Sequence, residues 1–126
     1  MEAKDLRIGN YIDYETEREI VTMQTTYEYI RLIHNGNKNF KPIELTEEWL
    51  LKFGFEKRGD FGEFYFIFNN GLILNIEDVE TEFIVWATVG EIDEKIDEIG
   101  KPLSYINYVH QLQNLYFALT NEELTL

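Results

Sequence analysis

"SYINYVHQLQNLYFALTNEEL", Ser104 to Leu124, decides how this chain is read, because from Pro102 to Asn121 it carries no formally charged residue while the whole chain carries a net charge of −13. At 100° per residue, Tyr105, Val109, Leu112, Tyr116 and Leu119 share one helical face, with Tyr108 and Leu115 beside it. The spacing predicts a helix over 103–119 with a broad apolar side. Asn107, Gln111, Asn114 and Ala118 fall on the opposite side, which is polar yet uncharged. A carboxamide can enter an interface without the desolvation cost of a charge. Asn107, Gln111 and Asn114 are therefore candidate contact residues for a partner protein or a second copy, the alternative being a helix covered on both sides within its own chain.

The remaining sequence is far more charged, and unevenly so. Residues 1–60 hold 12 acids and 9 bases, whereas 61–126 hold 12 acids and 2 bases. Between Glu77 and Glu98 nine acids face Lys95 alone. Such a segment repels polyanions, which disfavours direct binding of a nucleic-acid backbone. It is read first as a solvated face and second as a docking surface for a basic protein, with Glu91, Asp93, Asp97 and Glu98 as candidate contacts. At 126 residues and 44% hydrophobic content, with 15% aromatic residues, the chain has enough apolar material for one folded domain. No apolar run approaches the roughly 20 residues of a membrane span. The absence of cysteine and the polar start "MEAKDLRIGN" point to the cytosol, which the resemblance given below makes that of a bacterial host.

Working outward, "LRIGNYIDY" reads as a strand broken by a bulge or tight turn at Gly9-Asn10, and "REIVTMQTTYEYIRLI" as a second strand, alternating at period two through Tyr27 to Leu32. "FKPIEL" is an edge strand, because Pro42 has no N–H to donate. These strands predict a small curled sheet of SH3-like kind over 1–45. In "LTEEWLLKFGF", Thr46 is an N-cap, Glu47 and Glu48 suit the positive end of a helix dipole, and Gly54 can take a left-handed cap, so a short helix is expected over 47–53. "FYFIF" and "LILNI" flank Asn69-Asn70-Gly71, a hairpin signal, and "EFIVWATV" adds a third strand. Their nearly continuous apolar character predicts burial on both faces, or one covered sheet with aromatic residues crossing it. Ile92, Ile96 and Ile99 fit a short acidic helix or a charged loop. The expectation is a single α+β domain over 1–126, in which a mostly antiparallel sheet packs against two main helices. It divides into a β-rich part over 1–45 and a part over 46–126 that holds a helix, a hairpin, a strand and the C-terminal helix.

Little in this sequence assembles chemistry. Ser104, the one serine, lies roughly 120° around a helix from His110. His34 and His110 lack neighbours at metal-ligand spacing, and neither a phosphate-binding loop nor a dinucleotide fingerprint occurs. No catalytic, cofactor-binding or metal-ligating residue is assigned.

"LRIGNYI", "PIELTEEWLLKFGFEK" and "YVHQLQNLYFALTNEEL", about a third of the chain, resemble a family of small uncharacterised proteins of Bacteroidales phages and mobile elements. The resemblance implies a setting and no site residue. Many relatives place Gly where Asn121 stands, which fits a helix C-cap. The function expected is that of a non-enzymatic accessory protein acting by protein binding. Two alternatives are a counter-defence inhibitor whose acidic face mimics nucleic acid, and a protein that sequesters a small nucleotide through Tyr29, Arg31, Lys38 and Lys41.

Overall fold

The computed structural model describes residues 1–60, 62–68, 71–89 and 103–126. The chain is α+β, with one antiparallel sheet of three strands and one of five, two main helices and a shorter third. It divides into two compact units, 1–45 with 108–126, and 46–107. The division at residue 45 coincides with the one read from sequence. The C-terminal helix, grouped there with 46–126, belongs with the first unit.

In the first unit, strand β1 (Tyr11–Glu15) pairs with β2 (Ile20–Gln24) on one side and β3 (Phe40–Lys41) on the other. β3 is an edge, as Pro42 requires. Helix α1 (Tyr27–His34) lies between β2 and β3 in the chain, where the sequence reading continued the second strand. That reading of Tyr27 to Leu32 is corrected: the β-rich first part holds three strands and this helix. The helix is set by Thr26, whose side chain accepts from the Tyr29 N–H at 3.3 Å, and by apolar residues at helical spacing. Tyr29, Ile30 and Ile33 pack on the core of Leu6, Ile12 and Phe40, with Tyr14 and Met23 completing it. The Tyr14 and Phe40 rings meet edge to face at 5.0 Å.

Helix α3 (Val109–Thr120) also belongs to this unit, and its N-terminus is fixed when the Val109 N–H donates to the Ile43 carbonyl at 2.9 Å. It buries Val109, Leu112 and Tyr116, the expected apolar face. Asn121 closes it in the left-handed conformation, φ 60°, with its N–H on the Phe117 carbonyl.

The second unit opens with α2 (Glu47–Lys52), capped by Thr46 and followed by Gly54 at φ 95°, as read from sequence. Its sheet is an antiparallel meander of β4 (Glu56–Arg58), β5 (Glu63–Ile67), β6 (Leu72–Asp78), β7 (Phe83–Val89) and β8 (Ser104–Ile106). In central β6, four consecutive side chains, Ile73 to Ile76, are buried, so both of its faces are covered. β8 corrects the expected start of the last helix. Ser104-Tyr105-Ile106 alternates as a strand does, with Ile106 3% exposed and Tyr105 54% exposed, and pairs with β7. A helical Tyr105 on the buried face is thereby excluded. Asn69 and Asn70 of the β5–β6 turn, and the helix or loop expected around Ile92, Ile96 and Ile99, lie outside the described residues.

Glu63 on β5 stands directly opposite Glu77 on β6. Facing like charges destabilise a sheet by up to about 1 kcal/mol. Replacing Glu77 with Lys should therefore raise the thermal midpoint by a few degrees, roughly 0.5 kcal/mol, at low ionic strength, with a smaller gain in concentrated salt. A drop in midpoint at low salt would show that the two carboxylates do not repel.

Candidate functional site

The polar side of α3 does its work inside the first unit. Gln113 is fully buried. Its Oε1 accepts from the Tyr11 backbone N–H at 2.8 Å, and its Nε2 donates to the carbonyls of Leu124 at 2.9 Å and Gly9 at 3.3 Å. Asn114 continues the connection: its Oδ1 accepts from Asn10 Nδ2 at 2.9 Å and its Nδ2 donates to the Asp5 carbonyl at 2.9 Å. Asn10, also fully buried, accepts in turn from the Arg7 N–H at 2.7 Å. Thr25 adds a hydroxyl bond to the Arg7 carbonyl at 2.6 Å and exchanges backbone bonds with Gly9 and Asn10.

Residues 5–11 lie largely outside regular structure, so their buried backbone groups need partners from elsewhere. Helix α3 supplies those of Asp5, Gly9 and Tyr11 through Asn114 and Gln113, while Asn10 and Thr25 supply those of Arg7. Outside this network, the Arg7 guanidinium lies 3.5 Å over the Phe117 ring while gripping the Glu123 carboxylate through both of its terminal nitrogens.

This geometry relocates the sequence-predicted contacts. Asn114 is committed to Asn10 and Asp5. Gln111 acts as a helix cap, its Oε1 accepting from the Tyr108 N–H at 3.1 Å. Asn107 is exposed beyond the end of β8 and is not part of α3. Glu91, Asp93, Asp97 and Glu98 lie outside the described residues. Of the nucleotide-sequestering set, Tyr29 packs on Phe40, Arg31 pairs with Glu28 at 2.7 Å, and Lys38 and Lys41 are exposed. No group of His, Asp or Glu among the described residues is arranged to hold a metal ion, and no described helix is long and apolar enough to cross a membrane.

His110 is buried, its ring stacked on Tyr108 at 5.8 Å. Its Nδ1 has no hydrogen-bond partner among the described residues. Burial pushes its pKa below the ordinary histidine value; the amino terminus acts in the same direction and Asp5 opposes both.

Most exposed large apolar residues of this unit lie early in the chain, with Leu126 at its other end. Ile8, Ile20, Val21, Tyr27 and Leu32 are all exposed, on the turn before β1, on β2 and on α1. In the sequence they were visible only as apolar residues within the two strands read over this stretch. In the second unit, Glu77, Asp78, Glu80 and Glu82 gather at the β6–β7 turn, where Asp78 accepts from the Glu80 N–H at 2.9 Å.

No protein-family model matches the chain, and no curated protein or solved structure matches it.

Substituting Leu for Gln113 should cost about 2–4 kcal/mol in urea unfolding, because a buried N–H and two carbonyls lose their partner. Lys at Gln111 should cost under about 1 kcal/mol, the worth of one cap. Equal costs at the two positions would contradict this assignment of roles. His110 carries its own pH signature. With its folded pKa below the unfolded value near 6.5, the unfolded chain binds the proton more readily, so this stability is present above about pH 6.5 and is lost as pH falls toward the folded pKa. The unfolding midpoint of wild type should fall more between pH 7.5 and 5.5 than that of His110→Gln. Parallel profiles would remove His110 as the cause.

Proposed function

We propose that the chain is a non-enzymatic accessory protein of a phage or mobile element that acts in the bacterial host cytosol by binding another protein. One observation carries this reading: the exposed apolar side chains between Ile8 and Leu32, with Ile8, Ile20 and Tyr27 each more than 60% exposed. Apolar surface of this extent in a chain of charge −13 favours a protein partner over a polyanion, whose phosphates would meet net repulsion. The resemblance of "LRIGNYI" and "YVHQLQNLYFALTNEEL" to proteins of Bacteroidales mobile elements supports the setting. These two strings supply Asn10, Tyr11, Gln113 and Asn114 of the network above.

A counter-defence role, in which acidic residues stand in for nucleic acid before a basic host protein, is favoured by a separate observation. Glu63 faces Glu77 across β5 and β6, and Asp78, Glu80 and Glu82 follow directly. A basic partner would relieve that repulsion, so its affinity would fall steeply with salt.

Affinity capture from a Bacteroidales lysate, with the chain immobilised, distinguishes the two. The main reading expects a host protein retained near stoichiometrically, insensitive to moderate salt and lost on Ile8→Asp with Tyr27→Asp. Retention that survives those changes but is lost in salt and on Lys substitution of Glu80 and Glu82 supports the acidic surface instead. Capture of no protein contradicts both.

A further inference from the structure

Among the described residues the two sheets have four edge strands, and three are blunted in the usual ways. β3 has two residues and runs into Pro42; β4 carries Glu56, Lys57 and Arg58; β8 has three residues. β2 differs. Its five residues, Ile20-Val21-Thr22-Met23-Gln24, include no charge and no proline, and all but Met23 are exposed.

The hydrogen-bond phase of the β1–β2 pair fixes which backbone groups of β2 are open. At one end the Thr16 N–H donates to the Glu19 carbonyl at 2.9 Å, and at the other the Thr25 N–H donates to the Asn10 carbonyl at 2.7 Å. Bonded pairs alternate along an antiparallel ladder, so in the register Ile12↔Met23 and Tyr14↔Val21, Val21 and Met23 spend their N–H and C=O groups on β1. Those of Ile20, Thr22 and Gln24 point away from it. No partner for them occurs among the described residues. Three outward donor and acceptor sets at two-residue spacing match the backbone of an extended strand.

We infer that the free edge of β2 takes an extended segment of a partner protein as an added strand, a segment with an apolar residue to cover Ile20 and with Lys or Arg at the end that meets the β1–β2 turn. This rests on the protein-binding reading above and specifies its surface. The charge preference comes from Glu15, Glu17 and Glu19 surrounding Arg18 at that turn. A second copy is a poor occupant. Two β2 strands would join five residues per chain, far short of the roughly 800 Å² per partner of a stable interface, between molecules that each carry a charge of −13.

The probe is a displayed library of random linear peptides selected on the intact chain. The enriched peptides should be free of proline at the paired positions, apolar at alternate positions and basic at one end. Thr22→Pro removes an outward N–H that β1 does not use, so it should preserve the far-ultraviolet spectrum yet weaken such peptides at least ~10-fold. Ile20→Lys, a milder change to the fold, should weaken them as well. Bound peptide should slow amide exchange at Ile20, Thr22 and Gln24. The inference is overturned if no peptide is enriched, if enriched peptides bind Ile20→Lys and a folded Thr22→Pro as tightly as wild type, or if β2 amides gain protection only through self-association. A host protein retained equally by wild type and Thr22→Pro would overturn strand addition and leave the protein-binding reading standing.

Discussion

The first unit depends on one side chain that must accept and donate at once. Gln113, fully buried, receives the Tyr11 N–H and gives its own hydrogens to the carbonyls of Gly9 and Leu124. Glutamate could accept but not donate, and lysine could donate but not accept; a carboxamide accepts through its oxygen and has two hydrogens to give, with no net charge. The same logic holds for Asn114 and Asn10, each accepting through oxygen and donating through nitrogen. This is why α3 carries no formal charge along its polar side. A charge at 113 would bear the full cost of desolvation and leave part of the backbone unmet. Arg7, whose backbone joins the network, pairs its guanidinium with Glu123 at the partly exposed margin.

Much of the unit's order follows from this attachment. By holding residues 5–11 against α3, the carboxamides set where β1 begins, and β1 then carries Ile12 into the core with Leu6 and Phe40. β1 is the central strand of its sheet, with β3 on one side and β2 on the other. The open edge of β2 is thus held by a strand that is anchored at its start. A binding surface on such a strand is preorganised, which lowers the entropic cost of taking a partner.

The sequence was most legible where a residue type has one local role. Thr46 and Gly54 bounded α2, Pro42 put its strand at an edge, Asn121 ended α3, and the apolar runs of β5 to β7 foretold a strand covered on both faces. It was least legible where local pattern and long-range pairing disagreed. Tyr27 to Leu32 alternates like a strand, but the Thr26 cap and the packing of Tyr29, Ile30 and Ile33 on Phe40 make it helical. Tyr105 fits a helical face, yet pairing of 104–106 with β7 makes it a strand residue. The internal hydrogen bonds of Gln111 and Asn114 were hidden for the same reason. The uncharged character of Gln111 and Asn114 was visible, but their partners are the Tyr108 N–H, only three residues from Gln111, and the Asp5 carbonyl and Asn10 side chain, more than a hundred residues from Asn114, and the latter no periodicity can reveal.

The central claim is that the α3 carboxamides lock the backbone of residues 5–11 as firmly as the helix itself. Native-state hydrogen exchange measures this directly through the amides of Tyr11, which donates to Gln113, and Arg7, which donates to Asn10. The account predicts that both exchange only with unfolding of the unit, at the same free energy as the Tyr116 amide in the middle of α3. Exchange of Tyr11 and Arg7 through small local openings, while Tyr116 stays protected, would contradict it.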